Sequence, residues 1–243
     1  GADLENLMNE AALLAAKRNK KAITMTEIDE AVVKVEVGTE KKSHKFTERD
    51  QKITAYHEAG HAVVSYFLKS SRPVYEISMI PRGMAGGYTL YRQVEENAYM
   101  SKDEFLDEII SLMGGRIAEK IKIGGVWSGP SSDISRASDL ARSMVTRYGM
   151  SEKLGPVVYG KDNDQVFLGM DYNHTKNYSD SYATLIDEEI KKIVTDCENR
   201  CYEILTEHED KLTLIGDTLL KIQKIDKDLF LKPMDQNYNP DQD

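Results

Sequence analysis

The chain has little cysteine, a single tryptophan, no long apolar run and no excess of positive charge. Its two cysteines, Cys197 and Cys201, stand one helical turn apart within residues 190–205. They are too few for a disulfide framework or a cysteine-built metal site, so packing between helices is their expected role, and they point only weakly to a reducing compartment. No stretch approaches the roughly 18 apolar residues that a membrane span needs, and no signal peptide opens the chain. If the parent protein is anchored in a membrane, the anchor is expected outside this segment. A net charge of −9 without a basic stripe argues against nucleic acid as a partner. A phosphate-binding GxxxxGK[ST] loop is missing, so this chain by itself cannot bind and hydrolyse ATP.

What is present is an ordinary globular composition, 40% hydrophobic and 30% charged over 243 residues. That suffices for one good core and a small appendage. The chemistry concentrates in Tyr56-His57-Glu58-Ala59-Gly60-His61-Ala62-Val63-Val64, an HExxH core inside an apolar helical pattern. Histidines four apart project from one face of a helix and can share a Zn²⁺, while Glu58 can take a proton from the attacking water. Two imidazoles on an apolar face would otherwise need partners to offset their burial. The spacing therefore predicts a zinc peptidase with His57 and His61 as ligands and Glu58 as the base.

A catalytic zinc takes a third protein ligand and keeps a position for water. A metzincin continuation would need Gly at position 64 and His at position 67, where Val64 and Phe67 stand, so that class is excluded. His44, His174 and His208 lie in polar surroundings and read as surface residues, which leaves a carboxylate as the third ligand. Two candidates follow downstream, Glu119 in Gly114-Gly115-Arg116-Ile117-Ala118-Glu119 and Asp133 in Ser131-Ser132-Asp133-Ile134. Asp133 sits where a helix should start and could instead serve as its N-cap. Glu119 could equally face solvent or pair with Arg116 one turn earlier. Pattern alone leaves the choice open.

Elsewhere, residues 3–16 form an amphipathic pattern, and Thr24-Met25-Thr26-Glu27 resembles a capping box opening a helix over 27–35. Residues 74–80 and 87–91 read as two short strands, and an extended peptide adding to their free edge would bring its carbonyl to the metal. Helical spacing predicts helices over 104–121, 134–148, 180–207 and 211–220, the last two as a hairpin against the catalytic layer or a neighbour. Residues 157–171 read as irregular, with room for short strands. The expected fold class is mainly α with a small β-sheet, bundle-like.

These residues together resemble the peptidase domain of FtsH-type membrane-bound AAA proteases. Besides the HEAGH segment, the likeness rests on Ile80-Pro81-Arg82-Gly83, Gly114-Gly115-Arg116-Ile117-Ala118-Glu119, Asp133-Ile134 with Ala141-Arg142, and Tyr148-Gly149-Met150-Ser151-Glu152-Lys153-Leu154-Gly155-Pro156. It runs from near Gly1 to about Leu231 in matching order. The resemblance implies that zinc is held by His57, His61 and Asp133, and that Glu119 orients a ligating imidazole from behind. One segment departs from the family pattern, with Ser132 where the family carries Asn before the aspartate. The resemblance further implies residues 1–37 as the end of a helical AAA lid, 38–50 as linker, 51–232 as zinc peptidase and 233–243 as a disordered tail. The parent would be a homohexamer in the bacterial inner membrane, or an organellar one, whose ATPase feeds unfolded membrane and cytosolic proteins to these sites. A stand-alone, ATP-independent metallopeptidase is the alternative.

Overall fold

The computed structural model describes residues 1–41, 46–70, 72–83, 85–92, 99–160 and 178–235. Its first two helices, α1 (Ala2–Lys17) and α2 (Met25–Glu36), pack on each other. They bury Ala11, Ala15, Ala31 and Val33 in a contact of their own, apart from the main core. Glu27 is wholly buried between them, where its carboxylate accepts from the Thr24 backbone N–H (3.2 Å) and hydroxyl (2.6 Å) and pairs with Lys20 and Arg18. Lys20 first, then Thr24 and Arg18, hold its carboxyl well below the usual range against the opposing effect of burial.

The remaining described residues build one core around α3 (Glu48–Phe67), which carries HExxH. Thr47 caps it by accepting the Asp50 N–H, so the helix starts three residues inside the expected linker. Across α3 runs α4 (Lys102–Lys122), opened by a Ser101–Glu104 capping box. The two cross at glycines. A Cβ on Gly60 would lie 2.3 Å from the Gly114 carbonyl oxygen and 2.5 Å from Ala118 Cβ, so only bare Cα atoms let the backbones come this close. Around this pair stand α5 (Ser131–Thr146), α6 (Asp180–Glu207) and α7 (Glu209–Ile222), with α6 against α4 and α7 against α3. The predicted final hairpin therefore packs on the catalytic layer. Cys197 and Cys201 are free thiols buried on the inner face of α6.

The sheet is antiparallel in the order β2-β1-β3, formed by β1 (Val74–Ser78), β2 (Tyr88–Tyr91) and β3 (Lys224–Asp226). The third strand was not expected from sequence: it is three residues long with one apolar side chain, Ile225, opposite Ile77. Its flanking Lys224 forms an ion pair with buried Glu76 (2.6 Å), which also accepts from the Tyr88 hydroxyl. The last described helix, α8 (Lys227–Met234), is capped by Asp226 and packs on β1 and β3.

Differences at element ends are small. The predicted strands over 74–80 and 87–91 shorten to β1 and β2, and the helix predicted over 134–148 begins three residues earlier, at Ser131. Residues 157–160 hold no strand, and 161–177 lie outside the described residues. The expected tail at 233–243 starts inside α8, which includes Pro233; residues 236–243 lie outside the described residues, as do His44 and His174. His208 is not simply a surface residue, since its ring stacks on Phe67 with centroids 3.5 Å apart where α6 meets α7. Among the described residues no helix is long and apolar enough to cross a membrane.

Candidate metal centre

At the middle of α3 the 3.6-residue period turns His57 and His61 to the same side, with Nε2 atoms 3.0 Å apart and rings nearly perpendicular. Asp133 enters from the first turn of α5, its Oδ2 3.5 Å from His57 Nε2 and 3.6 Å from His61 Nε2. These three residues form the metal-competent group among the described residues, their donor atoms all within 4.8 Å of one another. A tetrahedral zinc with bonds near 2.0–2.1 Å separates its ligand atoms by about 3.3 Å, so the donor spacing fits one ion.

The far nitrogens of both rings are already engaged. His57 Nδ1 lies 2.8 Å from Glu119 Oε1, and His61 Nδ1 lies 2.8 Å from the Ser111 carbonyl oxygen. A carboxylate and a carbonyl can only accept, so both Nδ1 atoms carry a hydrogen; with His57 deprotonated, as a metal ligand must be, each ring is the tautomer whose Nε2 lone pair faces the centre. That is the tautomer a metal requires. Glu119 is 1% exposed, and its second oxygen, Oε2, is buried without a hydrogen-bond partner among the described residues.

The geometry separates the two carboxylates that the sequence left in competition. Glu119 approaches His57 from behind, on the nitrogen away from the centre, whereas Asp133 faces both Nε2 atoms. The plainer roles considered for each are not found. Pro130, not Asp133, stands at the N-cap position of α5, and Arg116 pairs with Glu198 instead of Glu119. The electrostatics agree with a site built to receive a cation. Burial works to lower the His57 pKa, but Asp133, Glu119 and Glu58 outweigh it and lift the imidazole to about 10. Burial would raise Asp133, yet its hydrogen bonds with His57 and His61 hold it below the usual carboxylate range.

Glu58 follows the first histidine and is buried, which pushes its carboxyl up, while the two histidines and a hydrogen bond from Thr89 oppose the rise. Thr89 Oγ1 donates to Glu58 Oε2 at 2.9 Å from the edge strand β2. The centre opens into a cavity of about 740 Å³ whose walls include Glu58, Asp133, Tyr88, Thr89 and Leu90. The edge strand is thus one wall of the cleft.

Sequence reasoning missed three contributors. Thr89 and Ser111 reach the site only through tertiary contact and carry no local signal. Gly115 was noticed as part of a motif, but its task was invisible: a Cβ there would lie 2.3–2.6 Å from three atoms of the His57 ring, so the imidazole lies flat against its bare Cα.

Comparison with known proteins gives a consistent picture. The model of peptidase family M41 matches residues 44–232, and that of the AAA+ lid domain matches residues 1–30. A protein of Caldicellulosiruptor bescii named ATP-dependent zinc metalloprotease FtsH is 49% identical over 240 residues, 99% of this chain and 39% of that protein. ATP-dependent zinc metalloprotease FtsH 1 of a Thermoanaerobacter species is 50% identical over 232 residues, covering 96% of this chain and 38% of its own length. The FtsH of Bacillus subtilis is 46% identical over 242 residues, 99% of this chain and 38% of the relative. The chain therefore spans less than two-fifths of the length of these relatives.

Proposed function

The chain belongs to peptidase family M41, and on that premise we propose that it is the zinc endopeptidase part of a membrane-anchored, ATP-dependent protease. The observation that carries the reading is the trio His57, His61 and Asp133, with both imidazoles fixed from behind in the metal-binding tautomer. His57, His61 and Asp133 are the ligands in this reading. Glu119 orients His57, and Glu58 is the general base.

Bound zinc supplies Lewis acidity, polarising a peptide carbonyl and acidifying a water molecule. The side chains do the rest. Glu58 accepts the proton of the attacking water and then delivers it to the leaving amine, a task suited to a carboxyl raised by burial. An unfolded substrate pairs as an added strand along β2, which is an edge strand among the described residues and lines the cleft, and this presents its backbone carbonyl to the centre. Main-chain pairing of this kind selects for extended polypeptide and tolerates many side chains.

We assign residues 1–37 to the end of an AAA lid, 38–50 to the connection and 51–232 to the peptidase. The lid match over 1–30 and the ATP dependence in the names of the relatives favour an ATP-fuelled machine over a stand-alone metallopeptidase, and a homohexamer is the assembly we assign to it. In that assembly ATPase modules outside this chain unfold membrane and cytosolic proteins at the bacterial inner membrane and deliver them to the cleft. The test is zinc content and peptide hydrolysis for the wild type and Glu58→Gln. The substitution should retain one zinc per chain and lose hydrolysis. A wild type that bound no zinc, or an active Glu58→Gln, would end the reading.

A further inference from the structure

We infer that Thr89 is a positioning residue for Glu58, so that the edge strand on which the peptide docks also sets the base; the inference rests on the peptidase reading above. β2 runs alongside α3, and its residues 89 and 91, two apart on a strand and so on one face, both reach polar groups of that helix. Thr89 Oγ1 lies 2.9 Å from Glu58 Oε2 and 3.2 Å from the Glu58 carbonyl oxygen. The other carboxylate oxygen is bounded by the same strand's approach: a Cβ on Gly87 would stand 2.9 Å from Glu58 Oε1 and 2.7 Å from Thr54 Cγ2. One oxygen is held by a donated hydrogen, and the other faces a glycine that leaves it room.

Two residues on, the Tyr91 hydroxyl accepts from Ser65 Oγ at 3.1 Å, and Ser65 Oγ lies 2.7 Å from Ser111 Oγ. Ser111 is the residue whose carbonyl accepts from His61 Nδ1. The strand is therefore joined to the base directly and to the second histidine through two serines.

The terminal torsion of a glutamate is broad and roughly two-fold, so a buried carboxylate without a fixed partner samples several orientations. Thr89 removes that freedom. It occupies Oε2 and leaves Oε1 as the oxygen that receives the proton. Because Thr89 lies on the strand that pairs with substrate, docking and base orientation share one element. The Thr89 hydroxyl acts through Glu58 and not on the scissile bond.

The test compares Thr89→Val, Thr89→Ser and Glu58→Gln in this chain on an unstructured fluorogenic peptide, with zinc content and melting temperature measured for each. Valine keeps the shape and removes the hydroxyl. Thr89→Val should lower kcat about ten- to a hundred-fold, the span expected for a hydrogen bond to a charged group, with KM changed by less than about two-fold. Zinc content should stay at the wild-type value, the melting temperature should fall by several degrees as the buried carboxylate loses its donor, and Thr89→Ser should restore most of kcat. The proposal is overturned if Thr89→Val keeps kcat within about two-fold. It is overturned equally if the loss falls in KM or in zinc content, or if serine is no better than valine. An inert Glu58→Gln beside a fully active Thr89→Val rejects only the role of Thr89, whereas an active Glu58→Gln rejects the peptidase reading itself.

Discussion

Replacing Gly115 by alanine is expected to damage the metal centre while leaving the fold intact, and the reason can be worked out atom by atom. The added Cβ would stand 2.3 Å from His57 Cε1, 2.4 Å from Nδ1 and 2.6 Å from Nε2. Carbon contacts relax near 3.5–4.0 Å, so the ring and α4 must separate by about 1 Å. The helix cannot yield, because α4 is in backbone contact with α3 at Gly60 and Gly114 and is backed by α5 and α6. The ring has to turn, and the 2.8 Å hydrogen bond to Glu119 goes with it. Losing an orienting partner of this kind costs roughly 10–100-fold in metal affinity. Stability without metal should fall by no more than about 2 kcal/mol, since the buried Glu119 carboxylate loses its donor, a cost of about 1–3 kcal/mol, while alanine regains about 1 kcal/mol of helix propensity. Gly60→Ala is the contrasting case. Its Cβ meets the Gly114 carbonyl at 2.3 Å, a backbone clash that ought to cost about 1–3 kcal/mol. At roughly 2–4 °C per kcal/mol in a domain of this size, it should melt several degrees lower even in EDTA. Zinc affinity from competition with a chromogenic chelator, beside melting curves in EDTA, separates the two. Wild-type zinc affinity in Gly115→Ala would refute the argument.

Asp133→Asn should abolish stoichiometric zinc binding, whereas Glu119→Gln should weaken it about 10–100-fold and leave a bindable site; metal analysis after dialysis distinguishes them, and the reverse order would exchange their roles. After zinc is stripped, His57 is raised from 6.5 to about 10 in the folded chain, so its contribution to stability is complete below pH 6.5 and is lost as pH rises towards 10. The melting temperature in EDTA should therefore fall over that window, and His57→Gln should flatten the fall. With zinc the dependence reverses, since the same proton competes with the metal and affinity should rise with pH. Lacking a phosphate-binding loop, the chain should cleave a casein-like unstructured substrate and spare a tightly folded protein, as read on gels after equal incubation; efficient digestion of the folded one would contradict the need for an external unfoldase.

The helices were legible because each carries its own signal. Thr24 and Glu27 announce the start of α2, and Leu and Ile at three- and four-residue spacing announce the inner faces of α6 and α7. β3 was not legible, because Lys224-Ile225-Asp226 has no alternation long enough to show. It exists as a strand because β1 offers an edge, where Ile225 pairs with Ile77 and Lys224 neutralises the buried Glu76. Its stability belongs to its neighbours.

The candidate site divides along the same line. His57, Glu58 and His61 are local, four consecutive helix steps that advertise their chemistry. Asp133 and Glu119 were visible as acids in motifs, but their roles depend on which nitrogen of His57 each approaches, a fact of three-dimensional placement. That placement in turn rests on residues with no chemistry to advertise. Gly60 and Gly114 bring α4 against α3, which puts Glu119 behind His57 and the Ser111 carbonyl behind His61, while Gly115 clears the space in which the ring lies. A glycine pair inside a helix normally weakens it by about 1 kcal/mol per residue relative to alanine, so its presence in α4 marks a close approach. The HExxH motif thus states which atoms can hold a metal, and the glycines of the facing helix decide that both imidazoles present the correct nitrogen to it.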